Sequence, residues 1–518
     1  MNRRLAAAAW ILVALPALYQ VVLLAIAIAG RAGYPYDLEW MEGGMLHHAL
    51  RIRTGQGIYG PPSIDFIPYL YTPLYPTLLA LFSNAFGLTY TLGRALSIAS
   101  LLGIATVGAV SLWRPRGAAI AGIALALGLF ASGYPFVDGW YDLVRADTLF
   151  LFMVTGAIAG LPSWARDTGM RGHAKVAAGA ALLALSFFCK QTGILYVGLG
   201  GLIVLVVNWR LVATYTLVAA TLGFGGIAIF NETTDGWFWV YVSKIHRVHD
   251  FSMTRFWDSF GTIWFRAPAA SVVVVIALGL LAAAWRRDRT VLREARPLLL
   301  WSAAYAMSSI VGAVGYGTEW AVFNAYMPAV LHGALAAGAA IPAIAASLRV
   351  LATGPAGTSS ARWRTSLPFA VSWLAAASLA FTCWHLRWKP AQFTPTSADV
   401  AAGDRLIAHL ASLDGDVWMP SHPWYLELAG KTPHAHRMGI KDVTWRQPHA
   451  PADIVVGLED ALRMHVFSAI ILDNRDLPSD QLTDLSRFYK PGPKLPTSEH
   501  PRLYAGGRVV PDQIWLPR

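Results

Sequence analysis

Eleven apolar runs, each about 20 residues long, recur between Leu5 and Leu386. Runs of that length with almost no charge are stable in the hydrocarbon of a bilayer. There every backbone polar group must be satisfied within the segment, so each run forms a helix. The runs lie at about 5–30, 94–113, 117–135, 148–165, 174–189, 192–208, 211–230, 262–285, 297–316, 325–346 and 366–386. The expected fold is mostly α, a polytopic transmembrane helical bundle of about 11 spans. Charge content agrees: 14% of the 518 residues are charged, against about 25% in soluble domains.

The first run is too long for the core of a signal peptide and is expected to stay as an uncleaved span. Net charge is +11, but the basic residues cluster in short loops between runs. They read as topology signals and lipid-headgroup contacts, not as a nucleic-acid surface. Arg114, Arg116, Arg166, Arg171, Lys175 and Arg210 fall on one side, as does the series Arg286, Arg287, Arg289, Arg293 and Arg296. This places the N-terminus in the cytoplasm, and the loop after the first span, with the C-terminal tail, outside the cytoplasmic (inner) membrane. That topology requires a turn at Lys190-Gln191-Thr192 between two short spans. Cys189 and Cys383 both lie inside apolar runs and read as packing residues.

The loop Tyr34 to Tyr75 follows the first run directly and carries Asp37, Glu39 and Glu42 within six positions. Acids at a bilayer surface are costly unless water, a cation or a substrate meets them. They suit a general base with a partner that binds a cation or orients a sugar hydroxyl. Leu38, Met41, Met45, Ala49 and Ile52 recur at helical spacing, which predicts an amphipathic helix on the membrane surface with Glu39 and Glu42 on one face. Trp40 and Tyr59 in this loop are candidate sugar or acceptor contacts. A second interfacial helix is expected over Pro73 to Phe86.

Hydropathy drops at about Lys389. Residues 389–518 read as a small extracytoplasmic α/β domain, following a transmembrane domain over 1–388. Helices are expected at Ser397 to Leu413 and Asp453 to His465, and strands at Asp416 to Pro420 and Ala469 to Asp473. Thr353 to Thr365, rich in Gly, Ser and Arg, reads as a flexible cytoplasmic linker.

The order of these motifs carries a resemblance. A first span is followed by D-L-E-W-M-E-G-G, then A-L-R-I-R-T-G-Q-G-I-Y, then Y-T-P-L-Y-P-T-L-L-A-L-F and F-G-L-T-Y-T-L-G-R-A-L-S. This resembles the polytopic GT-C glycosyltransferase superfamily, in particular the group of protein O-mannosyltransferases and the lipid A aminoarabinose transferase. The match is good over residues 1–113, looser to about 346 and absent in the tail. It implies a polyprenyl-phosphate-linked sugar as donor and a loop acid that serves as base or binds a metal, so a divalent cation is a possible cofactor. Carried over, it implies Asp37 as base and Glu39 as its partner. Relatives often have adjacent acids, whereas Leu38 separates them here. Counting back from Gly55 to Tyr59 places Glu42 at the acidic position instead, so the assignment among the three stays open.

Four further clusters could serve such a reaction. Asp142, Arg145 and Asp147 lie in W-Y-D-L-V-R-A-D, with Asp138 just before it. Arg145 could reach the donor phosphate while Asp142 holds it, or the group could be a structural ion-pair network. Lys190 could neutralise the leaving lipid phosphate or simply snorkel from a span end, and Gln191 beside it, like Asp142, is a candidate sugar or acceptor contact. Lys244, His246, Arg247, His249 and Arg255 form a cationic patch attractive to phosphate. His246 and His249 at i, i+3 are weak metal-ligand candidates. Glu319 and Asn324, beside Trp320, could contact sugar.

No nucleotide-binding motif appears with supporting context, in keeping with a lipid-linked donor. The expected function is transfer of a sugar from a polyprenyl phosphate to an extracytoplasmic glycan, lipid or protein, with inversion. The rival readings are a transporter or flippase for lipid-linked glycans, and a scaffold for envelope assembly. A transporter predicts charges spread through the spans and an internal repeat; here charges gather on one face and no repeat is visible.

Overall fold

A computed structural model describes residues 3–352, 361–446, 454–474 and 485–518. The chain is predominantly helical. Among the described residues, nine stretches are long and apolar enough to cross a membrane. One of them, Gly193–Thr233, contains two helices, Gly193–Asn208 and Val212–Thr233, separated by a 3₁₀ turn. Gly117–Ser132 is apolar but only 16 residues long. Each of the eleven apolar runs is thus helical.

Helix Met327–Ala352 is the centre of the bundle and is buried almost without interruption from Leu331 to Ser347. Its contact with helix Gly117–Ser132 runs backbone to backbone. A Cβ on Gly122 would lie 2.3 Å from the Gly338 carbonyl oxygen, and one on Gly338 would lie 2.3 Å from that of Gly122. Small residues permit this approach, which van der Waals packing rewards where lipid supplies no hydrophobic drive. Exposed Leu, Ile, Val and Phe side chains cover the outside of the bundle, for example Leu102, Val110, Phe224 and Val275. Cys189 and Cys383 are buried free thiols.

The loop after helix Arg3–Arg31 holds two short helices, Glu42–Arg53 and Leu74–Phe86. The first differs from the surface helix that the spacing predicts. Its first eight residues, Glu42 to Ala49, are all buried, because the C-terminal domain lies over it. It also begins at Glu42, so Glu39 sits in the preceding turn and the two acids do not share a helical face.

Helix Ala361–His385 begins inside the segment read as a linker, whose residues 353–360 lie outside the described residues. Beyond it, a Thr396–Asp399 capping box starts helix Ser397–Ser412. A four-stranded sheet follows, formed by β1 (Asp416–Trp418), β2 (Phe467–Asp473), β3 (Tyr489–Lys494) and β4 (Pro511–Pro517). The strand order is β1-β2-β4-β3; β1 and β2 are parallel and the other pairings antiparallel. β3 and β4 carry Pro, Gly and polar residues that masked them in the sequence. The expected helix from Asp453 appears as Leu458–Arg463; Asp453 itself is outside the described residues.

Candidate active site

The turn Asp37–Glu42 sends its three acids to three different partners. Glu42 is fully buried and bound by helix Tyr90–Leu112. Arg94 donates to it at 2.8 and 3.2 Å, and the Leu38 and Val144 amides donate at 2.6 and 2.8 Å. Four donors on two oxygens make Glu42 the structural clamp of the loop. Arg94 also donates to the Tyr34 and Tyr36 carbonyls.

Asp37 is fully buried as well. Its Oδ1 accepts from the Gly43 amide at 2.9 Å, and its Oδ2 lies 2.7 Å from His422 Nδ1. His422 Nε2 lies 3.1 Å from Asp473 Oδ2. Burial alone would lower the affinity of His422 for its proton. The two carboxylates overcome it and push the ring up to about 10, so His422 is an imidazolium donating to both. Burial raises the Asp37 carboxyl above the usual carboxylate range, and the contact with His422 acts against that rise.

Glu39 accepts from Arg145 Nη1 at 3.1 Å, and Arg145 Nη2 donates to the Tyr71 hydroxyl at 2.7 Å. Burial pushes Glu39 up to about 7, against the pull of Arg145 and helped by the charges of Glu42 and Asp37. Asp147 holds a second cation. Lys190 Nζ is 2.5 Å from Asp147 Oδ1, Asn324 donates to the same oxygen at 3.1 Å, and Trp140 donates to Oδ2 at 3.0 Å. Asp147 lies within reach of the charges of both Lys190 and Arg145, so Glu39, Arg145, Lys190 and Asn324 belong to one polar site at the end of the bundle. Gln191 closes it by donating to the Leu70 carbonyl at 2.5 Å.

No protein-family model matches the sequence, and no curated protein sequence does. The fold does match solved structures. ArnT from Cupriavidus metallidurans bound to undecaprenyl phosphate aligns with a TM-score of 0.58 at 14% identity, covering 96% of this chain and 97% of that one. The apo state of ArnT aligns at 0.55 and 15% identity, covering 98% of each. ArnT is a GT-C glycosyltransferase. This chain has the GT-C fold.

Within the GT-C frame, several residues fall away from the site. Asp142 does not hold Arg145: it is the buried partner of Arg31, at 2.6 and 2.8 Å, and accepts from Tyr134 at 3.0 Å. The acid that holds Arg145 is Glu39, which the sequence order W-Y-D-L-V-R could not reveal. Tyr59 donates to the Tyr71 carbonyl at 2.7 Å and packs its ring on Phe238, so it braces the loop. Arg255 stacks over Tyr316 and donates to the Ala321 carbonyl at 2.8 Å, a structural role. Lys244 is exposed. Glu319 accepts from the Asp250 amide and the Trp445 indole, each at 3.1 Å, and so ties the 250 loop to the C-terminal domain. Trp40 packs its ring against His436 at 5.1 Å.

The proposed metal ligands do not converge. His246 lies 3.0 Å from the Leu70 carbonyl, whereas His249 faces Asp442 at 3.5 Å. Among the described residues, no three His, Cys, Asp or Glu side chains are arranged to hold a metal ion.

Sequence reasoning missed Tyr71, His422 and Asp473. One signal pointed to the last two. His422 follows β1 and Asp473 ends β2, so both stand at the carboxyl ends of parallel strands, where α/β sheets place their functional groups.

Proposed function

We propose that this protein transfers a sugar from a polyprenyl-phosphate donor to an acceptor hydroxyl, on the extracytoplasmic side of the bundle where the first loop and the C-terminal domain meet. The carrying observation is the chain of contacts Glu39–Arg145–Tyr71, flanked by Lys190–Asp147–Asn324. It sets a carboxylate beside two cations at the end of an apolar bundle. The likeness in fold to ArnT, which has been crystallised with undecaprenyl phosphate, supports the donor class.

Glu39 is the base in this reading. Asp37 engages both its oxygens with protein donors and Glu42 is clamped by Arg94, whereas Glu39 has a proton affinity matched to neutral pH. Glu39 takes the proton of the acceptor hydroxyl. The freed oxygen attacks the anomeric carbon from the face opposite the phosphate. The bond from that carbon to the phosphate oxygen breaks, and the lipid phosphate leaves with the electron pair. Arg145 and Lys190 stabilise the charge growing on the phosphate, Arg145 with its planar fork of donors.

The test is transfer from a panel of labelled polyprenyl-phosphate sugars to membrane extract, with wild type beside Glu39→Gln. Transfer by wild type, lost in the variant while lipid-phosphate binding persists, supports the reading. Lipid binding without transfer from any donor moves the assignment to a carrier of lipid-linked sugars.

A further inference from the structure

The C-terminal domain reaches the acid-bearing turn at every residue from Tyr36 to Glu39. Tyr36 donates to Asp404 at 2.5 Å. The Asp37 amide donates to the Tyr425 hydroxyl at 3.3 Å, and its carboxylate meets His422 at 2.7 Å. The Leu38 carbonyl accepts from the amides of Tyr504 and Ala505 at 2.8 and 2.9 Å. The Gly506 turn, with φ of +66°, lies so close to Glu39 that a Cβ on Gly506 would be 2.9 Å from Glu39 Cγ. Backbone contacts can dock any two surfaces. The His422 contact is different in kind, because it places a charged ring between two carboxylates, with all three side chains shut away from water.

Only a ring with two N–H groups serves both acids at once, since both sides are acceptors. An amide side chain in its place would turn a carbonyl toward one carboxylate. The ring is also held in plane: it stacks on Tyr425 at 4.9 Å with an interplanar angle of 9°. Tyr425 in turn accepts from the Asp37 amide, so side chain and backbone of Asp37 are gripped by the same unit. Asp37 Oδ1 then fixes the Gly43 amide, which starts helix Glu42–Arg53. The turn that presents Glu39 is thereby closed from the C-terminal domain.

We propose that His422, bonded at once to Asp37 and Asp473, is a positioning residue for the active site: it holds residues 37–43 in the arrangement that presents Glu39, and makes the C-terminal domain a constituent of the catalytic centre. This rests on the transferase reading of Glu39 given above.

The test uses the full chain in lipid nanodiscs, with His422→Gln, Asp37→Asn, their double variant and Asp473→Asn. Amide hydrogen exchange and transfer kinetics are read on each. In His422→Gln the Leu38 and Gly43 amides exchange about tenfold faster, while those of helix Met327–Ala352 do not change. The same variant loses about tenfold or more in kcat, with KM for the donor lipid held within about twofold. Because His422 acts through Asp37, the double variant is no slower than the slower single one. Unchanged exchange in the turn overturns the proposal, and so does a double-variant loss equal to the product of the two single losses. If His422→Gln does not fold, Asp473→Asn decides, since it removes one carboxylate and keeps a polar partner. Faster exchange at Leu38 and Gly43 in that variant supports the proposal, and wild-type exchange there sinks it. If wild type transfers no sugar, the transferase reading fails by itself, and the exchange measurements still decide whether His422 braces the turn.

Discussion

Glu39 Oε2 accepts from Arg145 Nη1 at 3.1 Å across 106 residues of sequence. The pair joins the loop after the first span to the loop before helix Ala146–Trp164, and it puts a titrating carboxylate against a fixed cation. The behaviour expected of the site follows from that opposition.

Glu39→Gln should lower kcat by about 10²–10⁴-fold, the range for loss of a general base, and leave donor-lipid binding in place. The pH profile of the wild type carries the same information. Glu39 is pushed up to about 7 and must be ionised to accept a proton. The rate should therefore rise with pH through about 7, and this acid limb should vanish in the variant. A profile flat from pH 5 to 8 in the wild type would show that another group is the base.

Arg145→Lys should move the acid limb to higher pH. Arg145 opposes the effect of burial on Glu39, and a lysine ammonium cannot reproduce a fork that serves Glu39 and Tyr71 together. The expected loss in kcat/KM is about 10–100-fold, roughly 1.4–2.7 kcal/mol of transition-state stabilisation. Steady-state kinetics between pH 5 and 9 measures both.

Glu42→Gln should act on stability. The Glu42–Arg94 pair is wholly buried, and removing one partner of a buried pair costs about 3–5 kcal/mol because the other charge is left uncompensated. A thermal melt of the purified protein should show a marked fall in Tm. Activity surviving in the folded fraction should show its acid limb at lower pH, because the charge of Glu42 helps to raise Glu39.

Gly44→Ala tests the loop packing directly. A Cβ at Gly44 would sit 1.7 Å from the Tyr69 hydroxyl and 2.5 Å from Tyr69 Cζ, so the ring must move. Overpacking of this kind costs about 1–3 kcal/mol. Tyr69 precedes Leu70, whose carbonyl accepts from Gln191, and Tyr71, whose hydroxyl accepts from Arg145, so kcat should fall with stability. Alanine at Gly60, where a Cβ meets nothing within 4 Å, is the control and should do neither.

The loop's importance could be read from its composition, and the geometry explains why its spelling is so particular. In E-G-G-M, Glu42 is taken by Arg94. A side chain on Gly43 would meet Trp424 Cβ at 2.7 Å, and one on Gly44 would run into Tyr69. His48 follows one turn later. Its Nδ1 lies 2.6 Å from the Gly44 carbonyl and its Nε2 accepts from the Tyr69 amide at 2.9 Å. Burial holds His48 down at about 4, so it is a neutral strut of the loop.

Hydrophobic length and helical spacing are local properties. Apolar runs in a membrane leave the backbone no choice but helix, so the helical bundle, the two short helices of the first loop and the polar C-terminal domain all followed from reading the chain by itself. Partners of buried charges are not local. Asp142 lies three residues from Arg145 yet pairs with Arg31, while Glu39 crosses the site to Arg145. Asp37 finds its imidazole 385 residues away, at the end of a strand in another domain. A carboxylate out of water takes whichever cation the packing brings to it, and sequence spacing carries no record of that choice. Three loop acids with one apparent purpose thus became a clamp, a brace and a candidate base only when the tertiary structure gave each a different partner.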